Sequence, residues 1–173
     1  LPGGGSHGAI RVASVYVPNG QETGSDKFQY KLRFLDRLHA HVKTLLSYGE
    51  MLAVGGDYNI APTDADVHNP KQWGGSVLTH DEVRARLRKI FNMGMYDAQQ
   101  VVSSLQSPVS KQTGDYTWWD YRGNAFAADD GLRIDHLLLS PQAADVLSGC
   151  RVKKELRARE KASDHAPVVA TLL

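Results

Sequence analysis

The sequence predicts an α/β protein whose strands are mainly antiparallel and pack as a sandwich. Segments rich in β-branched and aromatic residues are interspersed with amphipathic helical segments. They do not follow the strict strand–helix–strand alternation that a doubly wound parallel sheet requires. With 173 residues, of which 42% are hydrophobic and 23% charged, the chain is long enough for one domain with its own core.

The first third of the chain is predicted to form a strand and a long helix. Residues 9–18 are rich in β-branched residues and end at Pro18, where a turn signal begins. Ser25 or Asp26 can cap the following helix, and Gly49 ends it. Apolar residues at helical spacing form its core face: Phe28, Leu32, Leu35, Leu38, Val42 and Leu45.

A short strand, a long loop and a second helix follow. Residues 51–54 are an apolar run that ends at two glycines, which is typical of a buried strand. Residues 63–75 are rich in turn-forming residues and predict a loop. Thr79 and Glu82 have the spacing of a capping box, so the second helix is predicted to begin there.

The second half of the chain is predicted to consist mostly of strands. The aromatic run at 116–121 and the apolar run at 132–140 favour strands, with a loop between them. Pro141 suits the first turn of a short helix. Two closing strands are expected at residues 150–156 and 167–173.

Composition excludes some classes of protein and leaves others open. The net charge of +1 neither favours nor opposes a polyanionic partner. No apolar stretch approaches the roughly 18 residues needed to cross a bilayer, so we expect no membrane association. The single cysteine, Cys150, fits a reducing compartment, and a cytoplasmic location is predicted. The chain has no secretory signal pattern and does not begin with Met, which suggests a piece of a longer chain.

Three polar clusters stand at the ends of predicted strands, where catalytic groups are commonly placed. Asp135 interrupts an apolar strand, and its buried carboxylate needs a partner. His165 is a natural partner, because a carboxylate on one imidazole nitrogen leaves the other nitrogen free for chemistry. The groups are Asp57 with Asn59, Asp135 with His136, and Ser163 with Asp164 and His165.

Each of these clusters also has a purely structural interpretation. Asp135 could pair with Arg133 or with the backbone, and Asp57 and Asn59 are common turn formers. Residues 163–165 could simply form a turn before a proline. Taken together, however, two carboxylates, an amide and a His–Asp pair are the groups that metal-assisted hydrolysis of a phosphodiester requires.

Five sequence blocks, read in order, resemble the exonuclease III family of abasic-site endonucleases, within the endonuclease/exonuclease/phosphatase superfamily. The blocks are "VYVPNG", "GDYNIAP", "TWWDYR", "GLRIDHLL" and "SDHAPV". The resemblance implies two sheets flanked by helices and a Mg²⁺ or Mn²⁺ cofactor. It also implies incision of double-stranded DNA at abasic sites and 3′–5′ exonuclease action on DNA, including 3′-blocked ends.

The resemblance also implies roles for single residues. Asp57 would activate the attacking water or protonate the leaving oxygen, and Asn59 would orient it and the phosphate. Asp135 would hold the catalytic His165. The same resemblance places four residues around the metal ion: Asp57, Asn59, Asp164 and His165.

Further residues of the resembling blocks would contact DNA. Tyr16 and Asn19 match residues at the scissile phosphate, and Arg122 would contact the DNA backbone. Trp118 and Leu132 would line a pocket for a flipped-out sugar, whereas strand alternation places the ring of Trp119 in the core. A basic run could follow the phosphate backbone or be only a solvated face: Lys153, Lys154, Arg157, Arg159 and Lys161.

The family carries an Asn and a metal-binding Glu in an N-terminal part that this sequence does not contain. We therefore expect residues 1–173 to be a partial domain with open sheet edges and exposed apolar surface. The missing half-domain would be its only protein partner. Two other functions stay open: a catalytically dead DNA-binding module, and a superfamily phosphoesterase that acts on phospholipids or inositol phosphates.

Overall fold

A computed structural model describes residues 8–106 and 115–173 of the chain. In its larger sheet, β1 (Ile10–Tyr16) pairs in parallel with β2 (Met51–Asp57). The antiparallel strands β3 (Tyr96–Asp97) and β4 (Asp135–Leu139) complete that sheet in the order β1-β2-β4-β3. A smaller antiparallel sheet joins β5 (Leu147–Val152) to β6 (Val168–Leu172). The predicted α/β fold with two sheets of mainly antiparallel strands is therefore confirmed.

Helices flank these sheets, and none in the described part of the chain combines the length and apolarity needed to cross a membrane. A single 3₁₀ turn, Asp64–Asp66, precedes the second of them. The helices are α1 (Asp26–Leu46), α2 (Pro70–Trp73), α3 (Asp81–Phe91), α4 (Ala98–Gln106), α5 (Ala125–Ala128), α6 (Pro141–Asp145) and α7 (Lys154–Arg157).

The long helix α1 covers one face of the larger sheet, as its apolar face predicts. Ser25 caps it, and the Ser25 hydroxyl accepts a hydrogen bond from the Phe28 N–H at 3.1 Å. The predicted core residues of α1 are buried together with Leu52 and Val54 of β2 and Leu138 of β4. Helix α3 packs beside α1 on this face.

Several local predictions are wrong in their details. Helix α3 is capped by His80, whose Nδ1 accepts from the Glu82 N–H at 3.2 Å, because the Thr79 hydroxyl instead donates to the Trp73 carbonyl. Residues 116–121 form only isolated bridges, from Trp118 to Leu132 and to His165. The predicted loop at 63–75 contains α2. The sequence patterns do not predict β3 or α4.

The other face of the larger sheet is only partly covered. Residues of β5, β6, α4 and α6 pack against Ala53 of β2 and Leu139 of β4. Beside them, on β1, the side chains of Val12 and Tyr16 remain 68% and 65% exposed. Apolar surface therefore lies open on the β1 side of this face.

A buried charge network anchors β4 to its surroundings. Arg133 donates to Asp66 Oδ1 at 2.6 Å and to Asp97 Oδ2 at 2.5 Å. His136 Nε2 donates to the Ile60 carbonyl at 2.8 Å. Burial by itself would raise the pKa of Asp97, but the charge of Arg133 and the neighbouring His136 hold that pKa well below its usual range. The alternative pairing of Arg133 with Asp135 is therefore wrong.

Gly56 lies where the backbone of β2 is close to that of β1. Its φ is +147°, and a Cβ at this position would lie 1.9 Å from the Val15 carbonyl oxygen. We predict that Gly56→Ala lowers the free energy of unfolding by about 3 kcal/mol or more, because backbone must move to admit the methyl group. Gly149→Ala is the control, since a Cβ there meets no atom within 4 Å. Equal urea midpoints for the two variants would contradict the prediction.

Replacement of Asp97 tests the buried charge network. We expect Asp97→Asn to lower the free energy of unfolding by about 3 kcal/mol at pH 7, since Arg133 loses a buried counter-charge. Because the folded pKa of Asp97 is depressed, its contribution is present above the unfolded pKa and is lost as the pH falls through the folded value. The difference in the free energy of unfolding between Asp97→Asn and wild type should therefore decrease at acid pH. Asp145→Asn, at an exposed site, should stay within about 0.5 kcal/mol of wild type in the same urea titrations.

Candidate active site

The candidate active site is a cleft of about 630 Å³ at the ends of β1 and β2. Strand register sets three residues side by side, because Tyr16 lies opposite Asp57 and Asp57 lies opposite Asp135. Asp135 lines a neighbouring cavity that shares His165 with the cleft. Side chains directly opposite one another in a sheet lie on the same face. The cleft is lined by most of the residues predicted to act on the substrate: Tyr16, Asn19, Asp57, Asn59, Trp118, Arg122 and His165.

Asn59 holds the carboxylate of Asp57 by two hydrogen bonds. Its backbone N–H donates to Asp57 Oδ1 at 2.8 Å, and its Nδ2 donates to Asp57 Oδ2 at 2.9 Å. Asn59 adopts a left-handed conformation, with φ +51°, which Asn tolerates better than most residues. Its Nδ2 also donates to the Val17 carbonyl, and its Oδ1 accepts from Asn19. The turn propensity of Asn59 therefore presents and orients Asp57.

Asp57 is a carboxylate that titrates close to neutral pH. Burial and, to a smaller extent, the nearby Asp135 carboxylate raise the pKa of Asp57 to about 6. The hydrogen bond from the Asn59 N–H and the charges of His165 and Lys31 act in the opposite direction. A pKa in this range allows a carboxyl group either to accept or to donate a proton.

His165 and Asp135 form a hydrogen-bonded pair beside Asp57. His165 Nδ1 donates to Asp135 Oδ2 at 2.9 Å. The other imidazole nitrogen, Nε2, takes no part in this hydrogen bond. Burial lowers the pKa of His165, but the hydrogen bond to Asp135 and the charges of Asp135, Asp57 and Asp164 outweigh it, so the net shift is upward. The structure therefore contains the pairing that the residue chemistry predicts.

Thr117 supports this pair, although the sequence carried no signal that singled it out. Its hydroxyl accepts hydrogen bonds from the backbone N–H groups of Ile134 and Asp135, both at 3.0 Å. Its carbonyl accepts from the Ala166 N–H at 2.7 Å. Thr117 thereby joins the segments that carry Asp135 and His165.

Two tryptophans form one wall of the cleft. The rings of Trp73 and Trp118 meet edge to face, with centroids 6.1 Å apart. Trp118 Nε1 donates to Asp164 Oδ2 at 2.9 Å. Trp119 is buried in the core, as strand alternation predicts. Trp73 was missed, because a tryptophan in a turn-rich loop carries no sign of which surface it faces.

Leu132 does not line the cleft. Its side chain has no exposed surface, and its backbone pairs with Trp118 on one side and Val67 on the other. Ile134 of this segment borders the cleft, although it is only 2% exposed. The prediction that Leu132 contacts DNA is therefore wrong, because core packing encloses it.

Several of the predicted basic residues make contacts with other side chains of the same chain. Arg122, whose side chain is 89% exposed, donates to Asp120 at 2.8 Å at the cleft edge. Lys154 Nζ lies 2.5 Å from Asp129 Oδ1, and the Arg157 guanidinium stacks over the Tyr121 ring at 5.0 Å. Of the predicted basic residues, Arg122 is the one that lines the cleft.

The donor set at the cleft suits a metal ion that is completed by substrate. Within residues 8–106 and 115–173, no three His, Cys, Asp or Glu side chains group closely enough to hold a metal ion. Asp57 and Asn59 are in contact, whereas Asp164 is bonded to Trp118 and His165 to Asp135. Mg²⁺ commonly uses one or two protein carboxylates and takes its other ligands from water and phosphate. The donors fit that arrangement and do not form a complete protein cage.

Known proteins resemble this chain over nearly all of its length. The sequence profile of the Endonuclease/Exonuclease/phosphatase family matches residues 2–165. Exodeoxyribonuclease III of Haemophilus influenzae is 30% identical over 170 residues, which cover 94% of this chain. An AP endonuclease from Archaeoglobus fulgidus has a TM-score of 0.84 at 32% identity, and a 3′-5′ exonuclease from Neisseria meningitidis has 0.86 at 37%. Each structural match covers 94% of this chain.

The chain matches only part of the length of each of these proteins. The chain spans 61% of the Haemophilus enzyme and 61% of each of the two solved structures. The profile match nevertheless includes the five sequence blocks almost entirely, from the Tyr16 block to His165. The chain belongs to the endonuclease/exonuclease/phosphatase family.

Proposed function

We propose that this chain is part of a metal-dependent DNA repair nuclease that hydrolyses phosphodiesters at abasic sites and at 3′ ends. The observation that carries the proposal is the pairing of Asp57 with Asp135 across β2 and β4. It sets an Asn-oriented carboxylate beside a His–Asp pair whose histidine lines the cleft. The names of similar proteins, which include an exodeoxyribonuclease III and an AP endonuclease, support DNA as the substrate.

Hydrolysis of a phosphodiester needs an activated water, a proton for the leaving oxygen and positive charge at the phosphoryl oxygens. Asp57, oriented by Asn59 and with a pKa of about 6, is proposed to move the proton to or from the reacting oxygen. His165, with its pKa raised, is proposed to donate from Nε2 to a phosphoryl oxygen. Tyr16 and Asn19, at the same cleft, would contact the phosphate.

We further propose that Mg²⁺ or Mn²⁺ binds at Asp57 and Asn59, with Asp164 beside it, and supplies positive charge at the phosphate. Asn59 Oδ1 accepts one hydrogen bond, from Asn19, and an amide oxygen has a second lone pair for a cation. The Nδ1 bond to Asp135 leaves His165 only Nε2 as a ligand atom. Imidazole suits Mg²⁺ less well than oxygen does, so we assign His165 mainly to the phosphate.

Preference for abasic DNA would follow from the shape of the cleft. Trp118 provides an aromatic surface at the cleft, and Ile134, which is only 2% exposed, borders it. Turning a nucleotide out of the duplex costs least where the base is already absent. Arg122, at the cleft edge, would contact the DNA backbone.

Variants of Asp57 and His165 test the proposal. With an abasic-site duplex and a 3′-recessed duplex, we expect cleavage in Mg²⁺ or Mn²⁺ and none in EDTA. Asp57→Asn and His165→Ala should each lower kcat by about 10²–10⁴-fold, because each removes a group that moves a proton or stabilises charge. Asp145→Asn and His41→Ala are matched controls at exposed sites. Equal cleavage by all four variants would reject the assignment.

A second candidate function is a DNA-binding module that does not cleave. The observation that favours it is the lack of a group of three metal-binding side chains among the described residues. It predicts salt-dependent DNA binding without chelator-sensitive cleavage. Metal-dependent cleavage that disappears in Asp57→Asn would exclude this candidate.

The pKa of His165 is a separate test of the His–Asp pair. We expect Asp135→Asn to lower the pKa of His165, because the opposing effect of burial remains while the carboxylate that raises the pKa is gone. The measurement is an NMR titration of the imidazole Cε1–H. In wild type the raised folded pKa means that this pair stabilises the fold below the unfolded pKa of histidine. That contribution is lost as the pH rises through the folded value.

Asp36→Asn, at an exposed site on α1, is the control for this titration. An unchanged His165 pKa in Asp135→Asn would show that the carboxylate at position 135 does not govern the imidazole.

A further inference from the structure

Lys31 is a buried cation beside the cleft that the proposed mechanism does not use. It occupies the core face of α1 between Phe28 and Leu32, and its side chain has no exposed surface. A buried ammonium group without partners is strongly unfavourable, since it loses its hydration. Its presence among apolar residues therefore calls for a specific set of partners.

The partners of Lys31 are three backbone carbonyl groups. Its Nζ donates to the carbonyl oxygens of Asn59 and Val77, both at 2.7 Å, and of Asn19 at 3.0 Å. Burial lowers the pKa of Lys31 to about 7. Three carbonyl acceptors suit the ammonium form, whose three N–H donors are then all used. In the described part of the chain it makes no salt bridge.

These three carbonyls belong to three different loops, each of which contributes to the cleft. Asn19 follows β1, Asn59 follows β2, and Val77 precedes α3. All three residues line the cleft. One ammonium group in the core thus contacts the backbone of the three loops that form the wall around Asp57.

The loop after β1 also encloses the stem of Lys31. Gly20 adopts a positive φ of +94°, and a Cβ at this position would lie 3.0 Å from Lys31 Cδ. A larger residue would therefore press on the lysine stem. This close packing places the ammonium group at the carbonyls with little room to move.

We propose that Lys31 is a positioning residue that holds Asn59 in the conformation in which it orients Asp57; this inference rests on the proposed function of the cleft. Asn59 is fixed at both ends. Its side chain and N–H bond to Asp57, and its carbonyl bonds to Lys31. Without the ammonium donor, the strained left-handed peptide of Asn59 is free to turn, and Asp57 loses its alignment.

The Asn59 amide proton reports directly on this alignment, because it is donated to Asp57 Oδ1. In Lys31→Met, a substitution of similar length without donors, NMR-detected hydrogen exchange at the Asn59 amide should become at least about tenfold faster than in wild type. Amides of β4 should keep their wild-type rates. Lys27→Met, one turn earlier on the exposed side of α1, is the matched control and should change neither.

Kinetics with the abasic duplex supply the second measurement. Lys31→Met should lower kcat about 10–100-fold, because misalignment of a reagent slows the chemical step, while KM changes by less than about threefold. Lys31→Arg keeps a cation with several donors and should restore part of both the kcat and the Asn59 protection. If Lys31→Met does not fold, Lys31→Arg carries the test, with intermediate losses expected.

The outcomes separate this inference from the proposed function. Faster exchange confined to the three loops supports a positioning role, even if wild type cleaves no DNA and the proposed nuclease function is thereby rejected. An unchanged Asn59 exchange rate in a folded Lys31 variant overturns the inference. So does faster exchange throughout α3 and β4, which would assign Lys31 to general stability.

Discussion

The pairing of β2 with β4 places two carboxylates, Asp57 and Asp135, directly opposite each other at the end of a half-buried sheet. Like charges in this position repel, and burial adds to the cost of ionising them both. The structure meets this constraint with different partners for each. Asn59 donates two hydrogen bonds to Asp57, and His165 donates one to Asp135. Burial, with a contribution from Asp135, raises the pKa of Asp57. Against the effect of burial, the hydrogen bond and charge of Asp135 raise the pKa of His165.

Two buried cations hold the frame around these carboxylates in different ways. Arg133 neutralises Asp66 and Asp97 and so fixes the segment that leads into β4. Lys31 instead donates to backbone carbonyls, which carry only partial charges. The flat guanidinium group suits paired carboxylates, whereas the compact ammonium group suits carbonyls that converge from several directions. The first arrangement secures the sheet, and the second secures the loops at its end.

Sequence patterns determined the fold class and the centre of the site. Helical spacing of apolar residues predicted α1 and its buried face, and Ser25 caps that helix as expected. The chemistry of a carboxylate in an apolar strand led to the pairing of Asp135 with His165, 30 residues away. These features could be predicted because they follow from local periodicity or from a buried charge that must find a partner.

Other features were decided only by tertiary packing. From the sequence alone, Lys31 resembles any other lysine on a helix. Its partners are defined only when α1 packs against loops up to 46 residues away. Thr117, the His80 cap and the enclosure of Leu132 likewise depend on which distant backbone groups come near. The sequence by itself determined the kinds of groups at the site, since their chemistry is fixed by residue type. The partners of each buried polar group were determined by the fold, because burial and hydrogen-bond geometry arise only when separate segments meet.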